Sequence, residues 1–176
     1  MKLIIVRHGA TDYNLNRKIQ GQIDTELNEL GLEQAKELGA ALAGESLQLV
    51  LSSDLTRARQ TTAAVIRHHY AVPVEYTARL RERHFGCFQD GPSSELRRAL
   101  DAWEGERANF KPEGGESLLE SHERVGVFWQ DILRQHAEKT LLVSAHGGVC
   151  KSLVALVLGE DLRFRNDLAQ DNCCIN

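Results

Sequence analysis

The tightest constraint on what this chain can fold into is Lys2-Leu3-Ile4-Ile5-Val6, a short run with no polar face. A strand with one face in water alternates apolar and polar residues, whereas a run apolar on both faces needs a cover on each side. Similar runs recur at Leu47 to Ser52 and Thr140 to Ser144, with a briefer one at Val74 to Thr77. Helical spacings lie between them. Leu32, Ala35, Leu38 and Leu42 follow Asn28, a suitable N-cap, and precede Gly44, a suitable stop. Ser53 or Ser52 is the expected cap of a second helix carrying Leu55, Ala58, Val65 and Ile66. A weaker pattern runs from Ser93 to Pro112, a long one from Ser117 to Gln135, and a last one from Gly148 to Leu158. Strands alternating with helices predict an α/β domain with a largely parallel sheet and helices on both faces.

A length of 176 residues predicts one domain, 1–176, with the least periodic stretch, 85–115, as an excursion from the core layers. A net charge of -4 gives no general attraction for nucleic acid or an anionic membrane. No stretch approaches the roughly 20 apolar residues of a membrane span, and the N-terminus lacks a signal-peptide layout. The expectation is a cytoplasmic protein, monomer or homodimer, with Cys87, Cys150, Cys173 and Cys174 as reduced thiols. Cys173-Cys174-Ile175 reads as the first half of a strand, so the natural chain is expected to continue past Asn176.

Two apolar runs end alike, at Arg7-His8-Gly9 and at His146-Gly147-Gly148. In open α/β sheets the carboxyl ends of the strands line the crevice where ligands bind. If these two strands are neighbours, two imidazoles emerge side by side there. A lone histidine at a strand end usually just satisfies backbone groups, but two of them, each followed by glycine and one preceded by arginine, form a constellation. His and Arg without anionic ligands repel a metal cation, so no metal is expected. They suit an anion, because guanidinium presents paired donors that match phosphate oxygens. The stretch Ser52-Ser53-Asp54-Leu55-Thr56-Arg57-Ala58-Arg59 opens a helix at a strand end, where the first amides and Arg57 favour an anion. Arg59, two positions on, projects elsewhere.

A neutral imidazole can attack phosphorus while cations hold the oxygens and an acid protonates the departing oxygen. Glu82, in Leu80-Arg81-Glu82-Arg83-His84-Phe85-Gly86, is the candidate acid. On sequence alone a Glu between Arg81 and Arg83 is more often a member of a surface ion pair.

These residues resemble the histidine phosphatase superfamily, the phosphoglycerate mutase-like proteins. Arg7-His8-Gly9-Ala10-Thr11 with Asn14 is similar to the family's RHG-E-T…N signature. Gln20-Gly21, Asp24, Leu27, Gly31 with Gln34-Ala35, Ser52-Ser53-Asp54-Leu55 with Arg57-Ala58 and Gln60-Thr61, Leu80-Arg81-Glu82, Gly114-Gly115-Glu116-Ser117 and His146-Gly147-Gly148-Val149 follow in family order. The resemblance implies a three-layer α/β/α sandwich whose mostly parallel mixed sheet has one antiparallel strand. It implies His8 as the phosphoryl-carrying nucleophile, Glu82 as proton donor, Arg7, Arg57 and His146 as phosphate clamps, and further phosphate contacts from Asn14, Gly21 and Gly147. No cofactor or metal is implied.

Two departures stand out: Ala10 replaces the usual Glu, and Phe88-Gln89-Asp90 replaces a frequent W-E-G. Glu82-Arg83-His84-Phe85-Gly86 is similar to the mutase motif, yet the span from Gly86 to Glu116 is short for a mutase. Arg97 and Arg98 are candidates for a second anionic group, or a solvated helix face. The expected function is a phosphatase for a small phosphomonoester. A cofactor-dependent phosphoglycerate mutase and an inactive phosphate-binding or interaction protein stay open.

Overall fold

A computed structural model describes residues 1–161 and 168–176. Its strands β1 (Lys2–Arg7), β2 (Leu49–Ser53), β3 (Val74–Thr77) and β4 (Thr140–Ala145) are all parallel and lie in the order β1-β4-β2-β3. Side chains alternate across a strand, and here each alternate set is buried. Ile5, Leu49, Leu51, Leu141 and Val143 pack with Val125, Phe128, Trp129, Val149 and Leu153 of helices α5 (Leu118–His136) and α6 (Gly147–Leu158). Ile4, Val6, Val50 and Leu142 pack on the other face with Leu38, Leu42 and Val65 of α2 (Glu29–Leu42) and α3 (Thr56–Ile66). The result is the expected three-layer α/β/α arrangement. It explains why these runs carry no polar face.

The C-terminal residues run antiparallel along the free edge of β1: Ile5 and Asn176 exchange backbone hydrogen bonds at 3.0 and 2.9 Å, and Val6 bridges Ile175. That edge carries the antiparallel member the resemblance calls for. No described helix is long and apolar enough to cross a membrane.

Local chemistry sets most boundaries. Asn28 Oδ1 accepts from the Gly31 N–H at 2.9 Å and starts α2, and Ser117 and Glu120 form a reciprocal capping box on α5. Two expectations need correction. Helix α3 has Leu55 at its N-cap position, with no side-chain cap from Ser52 or Ser53; instead the Asp24 carboxylate takes the Thr56 N–H at 2.6 Å. That carboxylate occupies the helix end expected to favour an anion. The helix predicted over Ser93 to Pro112 stops at Asp101 as α4 (Ser93–Asp101), followed by a 3-10 turn at Arg107–Asn109. The loop after β1 contains a helix, α1 (Asp12–Leu15), capped by Thr11.

The loop that carries His8 is locked by backbone packing. A Cβ on Gly31 would lie 2.0 Å from the Ala10 carbonyl oxygen and 2.7 Å from its nitrogen, and one on Gly9 would lie 2.4 Å from the Gly31 oxygen. No rotamer relieves a clash with backbone, so Gly31→Ala is expected to destabilise the domain by about 2–3 kcal/mol. Urea unfolding checks this. A loss within about 0.5 kcal/mol, the range of surface substitutions, would show that α2 shifts freely away from the loop.

Candidate active site

The register of β1 and β4 sets Arg7 opposite Ala145, so the residues that follow leave the sheet together. The His8 N–H donates to the Ala145 carbonyl at 3.0 Å. The rings of His8 and His146 approach edge to face, 5.1 Å between centroids and 60° between planes. Both are buried, at 3% and 0% exposure.

The tautomer of His8 follows from its neighbours. Nδ1 lies 2.7 Å from the Gly9 carbonyl, which only accepts, so Nδ1 carries the proton and Nε2 the lone pair. Burial first, then the charges of Arg57 and Arg7, hold its pKa well below 6.5. At neutral pH the ring is uncharged, with Nε2 facing the Arg57 Nε–H at 3.3 Å.

Arg57 is 1% exposed and held in a fork, donating from Nη1 to the Ile23 carbonyl and from Nη2 to the Gly21 carbonyl, both at 2.8 Å. Burial lowers its pKa to about 10, opposed by the charges of Glu82 and Asp24. It stays cationic at neutral pH. Arg7 donates from Nη1 to the Gln170 carbonyl. His146 Nε2 pairs with Ser53 Oγ at 2.8 Å, and burial, then Arg57 and His8, depress its pKa. Arg7 Nε and His146 Nδ1 are buried without a partner among the described residues. Buried polar atoms are nearly always satisfied, so both are candidates for contact with a bound molecule.

Gly147 opens α6 beside Arg7: a Cβ there would lie 3.6 Å from Arg7 Nε, and no side chain of the N-cap residue His146 covers the helix end. Glu82 reaches the same turn. Its Oε2 accepts from the Gly148 N–H at 3.0 Å and its Oε1 from the Arg83 N–H at 2.8 Å. A Cβ on Gly148 would lie 2.4 Å from Oε1, so a side chain here would push the carboxyl from this place. Asn14 Oδ1 accepts from the Thr11 N–H at 3.1 Å, and no described residue accepts from its Nδ2. Gly21, at φ 54°, anchors Arg57 through its carbonyl.

All eight residues singled out by sequence belong to this neighbourhood. Arg59, Arg81, Arg97 and Arg98 stand outside it. Arg59 lies over the Tyr76 ring at 4.2 Å, Arg81 grips Asp54 with two bonds at 2.7 and 2.6 Å, and Arg97 and Arg98 sit on the exposed face of α4. Among the described residues no group of three His, Cys, Asp or Glu side chains is placed to hold a metal ion.

Sequence reasoning missed four supporting residues. Ser53 orients His146, Thr61 accepts from the Gly9 N–H at 3.1 Å, Gln170 takes Arg7, and Asn172 Nδ2 donates to the His8 carbonyl at 2.9 Å. Ser53 and Thr61 lay inside matched motifs, but Gln170 and Asn172 had no signal. The Gln89 departure is accommodated by backbone, its Oε1 accepting from the Gln22 N–H at 2.9 Å. Asp90, at φ 66°, takes the Tyr13 hydroxyl at 3.0 Å and Lys18 at 3.1 Å.

Comparison with known proteins matches residues 3–176 to the model of the histidine phosphatase superfamily (branch 1). A glucosyl-3-phosphoglycerate phosphatase of Mycolicibacterium vanbaalenii is 34% identical over 169 residues, covering 90% of this chain and 74% of the relative. Phosphoglycerate mutase-like protein 4 of Arabidopsis thaliana is 37% identical over 158 residues, covering 86% and 69%. The structure of a mycobacterial glucosyl-3-phosphoglycerate phosphatase complexed with VO3 superposes with a TM-score of 0.86 at 30% identity, covering 98% of this chain and 88% of that one. With a family match over nearly every residue and relatives alike in sequence and fold, the chain belongs to the histidine phosphatase superfamily.

Proposed function

We propose that this chain is a metal-independent phosphatase that hydrolyses small phosphomonoesters through a phosphohistidine on His8. The observation that carries the reading is the uncharged His8 ring, its Nε2 lone pair facing the buried guanidinium of Arg57, with a second buried imidazole edge to face against it and the buried Arg7 Nε without a partner among the described residues. In the first step Nε2 attacks phosphorus and the bond from phosphorus to the ester oxygen breaks. Arg7, Arg57 and His146 hold the equatorial oxygens, with the N–H end of α6 at Gly147 adding its dipole. Glu82 gives its proton to the departing oxygen. In the second step water attacks the phosphohistidine, the Glu82 carboxylate takes a proton from that water, and the P–N bond breaks to release phosphate. Asn14 and Gly21 add donors to the phosphate.

Hydrolysis is favoured over mutase chemistry by the relatives, and no described contact ties Arg97 or Arg98, the candidates for gripping a second acidic group, to the residues around His8. The curated relative from Mycolicibacterium vanbaalenii and the superposed structure are both named as phosphatases. A panel of sugar phosphates, phosphoserine and phosphoglycerates, each followed for released phosphate, tests the reading. Phosphate release that is insensitive to chelators and blocked by vanadate, which mimics five-coordinate phosphorus, is expected. Isomerised phosphoglycerate without phosphate release would establish the mutase, and loss of activity with chelator would establish a metal enzyme.

A further inference from the structure

The motif Gly114-Gly115-Glu116-Ser117 takes no part in the chemistry above, yet its Glu116 is at the centre of a dense polar cluster. Arg124, two turns into α5, forks onto that carboxylate, Nε to Oε1 and Nη2 to Oε2, both at 3.0 Å. The same guanidinium donates from Nη1 to the Arg79 carbonyl at 2.7 Å and the Arg81 carbonyl at 2.8 Å, and its Nη2 lies 3.5 Å from the Glu82 carbonyl. Glu116 works from the other side. Its Oε2 accepts from the His84 N–H at 2.9 Å, its N–H donates to the His84 carbonyl at 2.8 Å, and its carbonyl accepts from Arg83 Nε at 2.8 Å.

These bonds converge on the main chain of residues 79–84, and Glu82 is inside that bracket. The glycines make the approach close enough: a Cβ on Gly115 would lie 2.6 Å from the His84 carbonyl oxygen, and one on Gly86 would lie 2.0 Å from the Glu113 oxygen. Hydrogen bonds from Arg124 and His84 hold the Glu116 carboxyl below the usual range against its burial, so the pair stays ionised at neutral pH. An ion pair that only steadied the start of α5 would not need three carbonyls of another loop.

We propose that the Glu116–Arg124 pair is a positioning device for the proton donor. It touches neither phosphate nor leaving group, and it fixes where the Glu82 carboxyl stands relative to the departing oxygen. The inference rests on the phosphatase reading and on Glu82 as its acid. A proton donor works only within hydrogen-bond reach of its target, and a shift of about 1 Å costs on the order of 10²-fold.

The test compares kcat/KM, which reports the steps through departure of the leaving group, on an alkyl phosphate and on p-nitrophenyl phosphate. The alkoxide needs a proton as it leaves, whereas nitrophenolate does not. Arg124→Lys keeps the charge and loses the fork. It is expected to lower kcat/KM about 30- to 100-fold on the alkyl ester and less than about threefold on the nitrophenyl ester. Glu82→Gln, run beside it, should show the same discrimination more strongly. If Glu82→Gln treats both esters alike, the proton-donor reading itself fails and takes this inference with it. If Glu82→Gln discriminates while Arg124→Lys lowers both esters equally, or neither, only the positioning role is overturned. Should Arg124→Lys not fold, Glu116→Gln decides by the same comparison. If that variant also fails to fold, the pair is a folding element and the inference is wrong.

Discussion

His8→Ala is expected to lower phosphomonoester turnover by about 10⁴-fold or more, because it removes the atom that forms the bond to phosphorus. The neighbouring donors remain, so the variant should still bind phosphate and vanadate. Among the described residues the His8 ring bonds only to the adjacent Gly9 carbonyl and from Arg57 Nε, so the fold does not hang on the ring. Neither does any neighbour replace it. His146, its ring centroid 5.1 Å from that of His8, has Nε2 engaged by Ser53 at 2.8 Å. Phosphate release measured beside a thermal melt separates the two effects. Turnover within tenfold of the parent, in a folded variant, would place the nucleophile elsewhere.

Arg57→Ala is expected to be the next most damaging change, lowering kcat/KM by about 10³- to 10⁵-fold, the range for an arginine that stabilises a phosphoryl-transfer transition state. It should also destabilise the fold. The carbonyls of Gly21 and Ile23 lose their donors, at about 1–3 kcal/mol for each that stays buried and unsatisfied, offset in part by removing a buried charge. Arg57→Lys should recover little. One ammonium cannot meet two carbonyls and His8 Nε2 in the planar fork that the guanidinium supplies. Steady-state kinetics with urea unfolding reads both effects, and a lysine variant within tenfold of the parent would mean that charge alone suffices at this position.

What could be read from the sequence depended on how local the cause was. β1 and β4 were legible because each buries both faces, which leaves an unbroken apolar run, and His8 and His146 because each interrupts such a run and is followed by glycine. The start of α2 was legible because Asn28 and its acceptor role lie three residues from Gly31. The cap of α3 was not, since its ligand Asp24 stands 32 residues upstream and nothing in the local pattern points to it. Gln170 and Asn172 reach Arg7 and His8 across more than 160 positions, through an edge pairing that leaves no periodicity. α1 is four residues long, too short to show a helical period. Glu82 was found by type and by likeness. The cluster that brackets it was invisible, because Arg124 acts on carbonyls that every residue possesses.

The most direct measurement is a rapid quench of enzyme with a phosphomonoester followed by mass analysis of the peptide that contains His8. The expected product is that peptide carrying one phosphoryl group on the imidazole, stable to base, lost in acid, and absent from His8→Ala. Continued turnover with no phosphoryl on His8 at any quench time would contradict a covalent path through this residue.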